Sequence, residues 1–388
     1  AGGIVILGLF QLLPLPEGLV RALSPNALRS YEEASEILAA LGSPHALAPR
    51  LSIAPEETRA ATLVFAALTA LLAASSRLLR GRHRRRLLSL LLLSGMILHL
   101  LWAASRPGPD GRFHGAFVNA NHLAGYLGIG LAVAFGRVWN ELLQGRDRLT
   151  AGDTVSDRFE RRILPVALWG VAWMAIAAGI ALTQSRGAVL AAAATTLGLV
   201  ALGLWHPRVR RRRKTLALAA AATLAVAIAG ALLSAGRGPI SRFYRSDPVG
   251  IGADTRGQIW QASLEAWRQF PAVGSGLGTF REAFRSVQPR EIEGQVEQAH
   301  NDFLQILVTG GVVGAALAVI AFGATLLLLL RAWWRQMHRE ESAFLLGGIG
   351  AVLFVVLHGI VEFDMSIPAI PATLAVVVGG AWAAGRAR

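Results

Sequence analysis

Residues 298–330 decide the fold of this chain, and they read QAHNDFLQILVTGGVVGAALAVIAFGATLLLLL. No charged side chain occurs between Phe303 and Leu330, and a run of this length can cross the hydrocarbon core of a bilayer as a helix. A histidine, an amide and a carboxylate stand directly before it, at His300, Asn301 and Asp302. The stretch therefore predicts a membrane-spanning helix with a polar cluster at its mouth.

The composition extends this interpretation to the whole chain. Of its 388 residues 54% are hydrophobic and only 16% are charged, whereas a soluble domain carries about 25% charged residues. The apolar residues come in long blocks, which predicts an all-α, polytopic transmembrane helical bundle forming a single domain over residues 1–388. The absence of cysteine excludes disulfides and thiolate metal sites.

The apolar blocks predict about ten crossings in this chain. Their approximate ranges are 1–13, 59–76, 87–104, 122–139, 163–183, 188–205, 215–233, 303–330, 343–361 and 370–385. The chain begins at Ala1 inside an apolar stretch, which predicts that its first helix is trimmed or that further residues precede it.

The arginines indicate the orientation of these spans. Loops rich in Lys and Arg stay on the cytoplasmic side, and alternating spans place every dense basic cluster on one side, at 77–86, 140–162, 206–214, 331–342 and the tail with Arg386 and Arg388. The net charge of +14 therefore reflects topology, and nucleic-acid binding is not expected. Residues 14–58, 105–121, 184–187, 234–302 and 362–369 then face outward, and the longest of these segments, 234–302, is predicted to be a large helical loop.

Polar side chains collect at the outward ends of the spans. They are His99, His122, Arg186, His300, Asp302, His358 and Glu362. A lone interfacial histidine is more often a packing residue, and a terminal arginine often reaches lipid headgroups. Because side chains from separate loops share one side here, the pattern favours a functional site on that face.

The long outward loop contains a helical pattern. Asp254 can cap a helix that begins near Thr255 and ends before Pro271, with an apolar stripe at Ile259, Trp260, Leu264, Trp267 and Phe270. We expect this helix to lie on the membrane surface or on top of the bundle.

Arg256 falls in the first turn of this helix, where a positive charge is unfavourable. A bound anion would explain its position, and the alternative is a solvated or phospholipid-bound side chain. The sequence Gly274-Ser-Gly-Leu-Gly278 follows no strand, so it predicts a turn rather than a nucleotide-binding loop.

Four motifs in this order resemble the O-antigen ligase and polymerase family: Gly115–Ala124 (GAFVNANHLA), Gln184–Ala188 (QSRGA), Gly274–Phe280 (GSGLGTF) and Ala299–Gln305 (AHNDFLQ). The segment His358–Pro368 and the pieces Leu13–Pro16 and Leu23–Pro25 are similar to that family as well. The resemblance covers nearly the whole chain.

The resemblance implies a membrane glycosyltransferase of the bacterial inner membrane, with its active site facing the periplasm and no metal or nucleotide cofactor. The donor would be a glycan on undecaprenyl diphosphate. A ligase would transfer it to a lipid A–core sugar, which is the reading we favour, and a polymerase would join it to another lipid-linked repeat unit. Family members have about twelve spans, so one or two helices would be missing here. The sequence does not determine the oligomeric state.

The resemblance also implies site residues. Arg186 and Arg256 would stabilise the leaving diphosphate, with Arg242 or Arg245 as alternatives to Arg256. His300 would accept the proton of the attacking hydroxyl, its place at a helix N-terminus favouring the neutral ring. Asn301 or Asp302 would orient that ring or the acceptor. The other candidate substrate contacts are Asn119, Asn121, His122 and Glu362.

A transporter or lipid flippase is the alternative of another class. It predicts broken helices or ionisable groups near mid-membrane and two related halves. The sequence shows no internal repeat, and its polar groups gather at one face.

Overall fold

A computed structural model describes residues 2–43, 47–108, 111–144, 154–205, 253–336 and 339–386. All regular elements in these ranges are helical, which confirms the predicted all-α class. In chain order the helices are α1 (Gly2–Leu12), α2 (Glu17–Leu23), α3 (Pro25–Ala40), α4 (Pro55–Leu78), α5 (Arg82–Ser105), α6 (Ala120–Gln144), α7 (Val155–Arg158), α8 (Leu164–Leu182), α9 (Arg186–Trp205), α10 (Ala253–Gln269), α11 (Phe280–Arg285), α12 (Asp302–Arg335), α13 (Arg339–His358) and α14 (Ala369–Gly385). A π-helical turn, Phe159–Ile163, joins α7 to α8, and a 3₁₀ turn covers Asp364–Ser366.

Six helical stretches of the described chain are long and apolar enough to cross a membrane. They are Pro55–Leu78, Arg82–Ser105, Val155–Leu182, Arg186–Trp205, Asp302–Arg335 and Glu340–His358. Shorter apolar helices cover Gly2–Leu12 and Ala369–Gly385. These findings support a multi-pass membrane protein. The predicted span 122–139 falls in α6, which is not among these six stretches. The basic block 206–214, the predicted span 215–233 and the charged residues 145–153 lie outside the described residues, and about ten crossings remains a prediction.

The ends of the spanning helices follow ordinary helix chemistry. Helix α4 begins at a proline and carries Glu56 and Glu57 in its first turn, while Arg77 stands in its last turn. Proline at the first position lacks only an amide hydrogen that would be unpaired there anyway. Acidic side chains at the start and a basic one at the end complement the helix dipole.

The chain forms two compact units. The first contains residues 1–70, 247–324 and 359–366, and the second contains 71–246, 325–358 and 367–388. The predicted outward loop 234–302 therefore folds, over its described part, with segments from both ends of the sequence. The assignment of that loop to the periplasm stays a prediction.

The core of the first unit is built around α10. The buried apolar residues of this core are Val20, Ala27, Leu28, Leu51, Ile259, Ala262, Ala266, Phe270, Val273, Phe280, Ala283, Phe284, Ala299 and Val308. Ile259 and Phe270 are buried as predicted, but Leu264 is exposed and the small residues Ala262 and Ala266 are buried instead. Small side chains allow close helix packing, and a stripe of large apolar residues does not indicate where they lie. The predicted cap Asp254 has no described side chain.

Helix α12 is broken at Gly311, where φ is 62° and ψ is −165°. Two helical hydrogen bonds, from Val312 to Val308 and from Val313 to Thr309, are replaced by bonds to the segment 271–276. The amides of Ser275 and Gly276 donate to the carbonyls of Val308 and Thr309, and the amides of Val312 and Val313 donate to the carbonyls of Pro271 and Ala272. The sequence predicts one continuous helix over 303–330, but the structure has two consecutive helices separated at Gly311. The amides and carbonyls that lose their helical partners at the break are bonded to the loop 271–276.

Gln11 reinforces this arrangement from α1. Its side chain is completely buried. Its Nε2 donates to the carbonyls of Val273 and Thr309 at 2.6 and 3.0 Å, and its Oε1 accepts from the amide of Leu277 at 2.9 Å. A buried amide with this many partners fixes α1, the glycine-rich turn and the break in α12 relative to one another.

The second unit centres on α6 and α13, which pack closely through glycines. Gly136 leaves no room for a side chain beside Ala343, and Gly128 faces Phe354 in the same way. At one end of this pair lies a buried ionic cluster. Arg85 bonds Glu341 at 2.9 Å, and Arg137 pairs with Glu340.

This cluster joins the start of α5, the end of α6 and the start of α13. The predicted topology places these three ends on one side of the membrane, and the structure brings them together. Which side of the membrane that end faces stays a prediction.

Candidate active site

The backbone at His300 has an unusual conformation. Its φ is 49°, in the left-handed region that non-glycine residues seldom adopt. Three hydrogen bonds hold the residues on either side. The amide of Ala299 donates to Gln305 Oε1 at 2.8 Å, and Asn301 Oδ1 accepts from the amides of Phe303 and Leu304 at 2.9 and 3.0 Å. Strain that the surroundings maintain is a mark of functional positions.

Asn301 is thus the N-cap of α12. Its oxygen satisfies two amides that have no partner within the helix. This structural role accounts for the amide residue in the Ala299–Gln305 motif. Its predicted role as a substrate contact stays a prediction.

Asp302 ties the start of α12 to the segment after α13. Its amide donates to the carbonyls of Gly359 and Glu362 at 2.8 and 3.1 Å. Its carboxylate accepts from the amide of Met365, at 3.2 and 3.3 Å for the two oxygens. The carboxylate of Asp302 therefore has a structural role. Together, the bonds of its amide and carboxylate fix the backbone of Glu362 beside His300.

Glu362 is the centre of the cluster. Its side chain is only 1% exposed, and its Oε1 accepts a hydrogen bond from Arg256 at 2.6 Å. Its Oε2 lies 3.7 Å from His300 Nδ1, which is an ion-pair distance and too long for a hydrogen bond. One buried carboxylate thus faces both the predicted general base and a predicted diphosphate-binding arginine.

An aromatic ring completes the environment of His300. Phe363 meets the imidazole edge to face, with ring centroids 4.8 Å apart. The histidine side chain is 12% exposed, so the ring is held by packing yet remains in reach of a ligand. The carboxylate that faces the ring is that of Glu362, whereas the sequence suggested Asn301 or Asp302 for orienting it.

The position of Arg256 in the first turn of α10 has an explanation in Glu362. The sequence left open whether this arginine binds an anion or is solvated or lipid-bound, and the structure pairs it with a carboxylate of the chain itself. The Arg256 side chain is 26% exposed, so part of this side chain remains accessible. A guanidinium carries five donors in a fixed fork and can hold a carboxylate while it binds a phosphate oxygen.

Several carboxyl groups lie close together around this cluster. Asp364 is completely buried, and it lies within electrostatic range of Asp302, as does Glu362. Among the residues that the structure describes, no group of three or more His, Asp and Glu side chains is arranged to hold a metal ion.

The glycine-rich turn 274–278 is a packing element. Its amides at Gly274, Ser275, Gly276 and Leu277 all donate to acceptors within the chain. Three of its glycines have positive φ, and Gly274 abuts the backbone of Thr309. The turn predicted between two helices is confirmed, and those four amides are already used within the protein.

Arg186 lies in the second unit, at the first residue of α9. The turn before it contains Gln184, whose φ is 55°. Within the described chain Gln184 and His300 are the only non-glycine residues with positive φ, and both fall in motifs that the sequence singled out. The role of Arg186 stays a prediction.

The other candidates of the second unit lie at the N-terminus of α6. Asn119 caps this helix through its Oδ1, which accepts from the amide of Asn121 at 2.8 Å. Asn121 Oδ1 accepts from Arg112 at 2.6 Å, and His122 is buried. Arg242 and Arg245 lie outside the described residues.

Sequence reasoning missed two features of these sites. Glu362 was predicted only as a candidate substrate contact, because its pairing with residues far away in sequence leaves no local pattern. Arg112 was not singled out at all. Its signal was an arginine within a predicted outward loop, which runs against the usual placement of basic residues.

The fold and this cluster define a class: a multi-pass helical membrane protein with a buried carboxylate between an arginine and a strained histidine. Residues 170–319, which include Arg186, Arg256 and His300, match the O-antigen ligase family. The match confirms the predicted resemblance over this segment, and the motifs at 115–124 and 358–368 lie outside it. No curated protein matches the chain. The family supports a glycosyltransferase-like function of the ligase or polymerase kind.

Proposed function

We propose that this protein is an O-antigen ligase that transfers a glycan from undecaprenyl diphosphate to a lipid A–core sugar. The reaction takes place on the periplasmic face of the inner membrane. The observation that carries the proposal is the Arg256–Glu362–His300 cluster, whose arginine and histidine lie inside the segment that matches the family.

The chemistry follows from the groups in the cluster. The acceptor hydroxyl attacks the anomeric carbon of the donor from the face opposite the diphosphate, with inversion. A new glycosidic C–O bond forms, and the bond between the anomeric carbon and the phosphate oxygen breaks. His300 takes the hydroxyl proton, and undecaprenyl diphosphate leaves with the electron pair.

Glu362 supports both halves of this reaction. When the hydroxyl proton moves to His300, the imidazolium forms beside a buried carboxylate, which stabilises the positive charge. The same carboxylate holds Arg256 through a charge-assisted hydrogen bond. Arg256 then offers its remaining donors to the diphosphate, where negative charge grows in the transition state.

Arg186 is the second diphosphate-binding arginine of the proposal. Its support is the Gln184–Ala188 motif and its position at the first residue of α9, where the positive end of the helix dipole favours an anion. An arginine stays charged at any physiological pH and can bind phosphate oxygens in pairs.

The break in α12 bears on the alternative of a transporter or flippase. A broken helix is one feature that such a protein would use to hold its cargo. Here the four backbone groups freed by the break are bonded to residues 271–276. Because the break is filled by the chain itself, it does not favour transport.

The test is transfer from a lipid-linked glycan by purified protein carrying Arg186→Ala, Arg256→Ala or His300→Ala. We expect His300→Ala to lower the rate by about 10²- to 10⁴-fold, the usual contribution of a general base. Near-normal turnover of a folded His300→Ala protein would overturn the assignment of the base. Loss of activity of the wild-type protein in a chelator would contradict metal-independent transfer.

Ligase and polymerase differ in what accumulates when the protein is lost. Without the ligase, long polymer stays on the carrier lipid, and without a polymerase, single repeat units accumulate there. Extraction of carrier-linked glycans from a deletion strain distinguishes the two, and single repeats would overturn the ligase proposal in favour of the polymerase.

A further inference from the structure

Arg112 connects three segments of the second unit. Its Nε donates to the carbonyl of Thr183 at 2.8 Å, just after α8, and a terminal nitrogen donates to Asn121 Oδ1 at 2.6 Å, in the first turn of α6. The next residue, Phe113, donates its amide to the carbonyl of Leu182 at 3.5 Å. The loop before α6 therefore holds the C-terminal end of α8.

This end of α8 has all its last carbonyls bonded. The carbonyls of Gly179 and Ala181 accept from the amides of Thr183 and Gln184, and that of Ile180 accepts from the Thr183 hydroxyl. The carbonyls of Leu182 and Thr183 take their donors from Phe113 and Arg112. Helix ends leave carbonyls without partners inside the helix, and here the loop supplies the last two.

The turn that Arg112 holds is the one that presents Arg186. Only Gln184 and Ser185 separate the bonded carbonyl of Thr183 from Arg186. The backbone of Gln184 is in the left-handed region. Ser185 caps α9, because its hydroxyl oxygen accepts from the amide of Ala188 at 3.4 Å. Because the conformations of Gln184 and Ser185 are fixed, the orientation of Arg186 depends on the position of the Thr183 carbonyl, which Arg112 holds.

The loop that carries Arg112 is itself anchored. The amide of Ala116 donates to His99 Nε2 at 3.1 Å, and Gly115, with a φ of 58°, lies against the same imidazole so that a side chain there would clash. Because the loop is held in place, Arg112 can in turn hold the backbone of the turn 183–185.

We propose that Arg112 is a positioning residue, which sets the direction of Arg186 by holding the carbonyl of Thr183. The inference rests on the proposed function, in which Arg186 binds the donor diphosphate. It also gives Asn121 a role, as the acceptor that keeps the far end of the Arg112 guanidinium in place.

The experiment measures binding of undecaprenyl diphosphate to the purified full chain in lipid nanodiscs, together with the KM and kcat of transfer. We expect Arg112→Gln to raise the Kd and the donor KM by about tenfold, a usual size for coupling between neighbouring groups. Arg112→Lys should be intermediate, because an ammonium cannot serve both acceptors in the geometry of the guanidinium fork. The lysine variant keeps the charge and provides the same test if Arg112→Gln does not fold.

The matched control is Arg106→Gln, which removes the same charge near the start of the same loop from an exposed side chain. A double-variant cycle separates positioning from general damage. In an Arg186→Ala background, Arg112→Gln should cause no further rise in Kd, because the group that it positions is absent.

Three outcomes overturn the inference. The first is a wild-type Kd for Arg112→Gln, and the second is a rise in Kd for Arg106→Gln as large as that for Arg112→Gln. The third is a double variant whose rise in Kd is the product of the rises for Arg112→Gln and Arg186→Ala. Each of them leaves the proposed function intact so long as Arg186→Ala itself weakens binding. If Arg186→Ala binds undecaprenyl diphosphate as the wild type does, the assignment of Arg186 fails and the inference fails with it.

Discussion

Glu362 has two neighbours of different chemistry, a guanidinium at 2.6 Å and an imidazole at 3.7 Å. Substitution by glutamine keeps the size and one oxygen acceptor but removes the charge. A hydrogen bond to a charged group contributes about 1.5–3 kcal/mol, which corresponds to a rate change of about 10- to 150-fold. We therefore expect Glu362→Gln to lower the initial transfer rate by this factor while the protein stays folded.

Glu293→Gln is the matched control, because it makes the same chemical change at an exposed position of the first unit. It should leave the rate unchanged. Wild-type transfer by Glu362→Gln would show that the buried carboxylate has no part in catalysis.

His300 permits a test of stored strain. A left-handed non-glycine residue costs about 1–2 kcal/mol, and glycine adopts the same conformation freely. We expect His300→Gly to be more stable than His300→Ala by about 1 kcal/mol, although both variants lack the imidazole and should show the same loss of transfer rate. Chemical denaturation of the two purified proteins gives the difference.

The glycine and alanine variants of Gln298 are the control for this order of stability. Its φ is not positive, so Gln298→Gly should be the less stable of its own glycine and alanine pair, through the greater backbone freedom of the unfolded chain. The same order at both positions would contradict strain at His300.

At the scale of elements, the break in α12 can be tested at a single glycine. A Cβ at Gly311 would collide with the carbonyl of Ala272, and its positive φ disfavours any side chain. We expect Gly311→Ala to reduce the yield of folded protein sharply and to lower its melting temperature. Fluorescence-detected size-exclusion chromatography measures the first effect, and a thermal ramp measures the second.

Gly323 lies in the same helix, and a Cβ there would meet nothing within 4 Å. Gly323→Ala should leave the yield and melting temperature unchanged or slightly raised. Equal behaviour of the two variants would show that α12 runs straight through Gly311.

The positions of the helices could be predicted from apolar blocks and basic loops, but the break could not. Predicted spans 87–104 and 188–205 correspond to α5 and α9 with ends shifted by a few residues. The pattern of apolar residues indicates which side chains are shielded from water. It does not indicate the backbone angle φ of any one residue. Gly310 and Gly311 are ordinary in an apolar run, and only their meeting with residues 271–276 reveals the break.

The candidate site was predictable in part for a related reason. His300 and Arg256 could be selected from motifs and from their places at helix starts. Glu362 and Arg112 act through partners 106 and 71 residues away in the chain, and such pairings are set by the tertiary fold. The break and the long-range pairs are thus the features for which a structure was needed.

For the whole molecule, the lack of cysteine allows a clean test of topology. Single substitutions Val118→Cys, Glu293→Cys and Val155→Cys introduce thiols at exposed positions. The basic loops predict that the first two face the periplasm and the third the cytoplasm. A membrane-impermeant maleimide should label the first two in spheroplasts, and the third only after the membrane is opened.

Labelling of Val155→Cys in intact spheroplasts, with Val118→Cys protected, would reverse the orientation and place the cluster on the wrong side for a lipid-linked donor exported to the periplasm. The unsubstituted chain serves as the blank, because it contains no thiol.

The exchange of hydrogen bonds between α12 and residues 271–276 has a consequence for how substrates enter. Opening this loop would strip two amides and two carbonyls of their partners at once, along with the bonds from Gln11, and such groups are costly to leave unpaired where water is scarce. The loop and both halves of α12 therefore form one cooperative opening unit, whose amides should exchange with deuterium slowly and together. In the proposed reaction, the glycan donor would therefore approach His300 without displacing this loop.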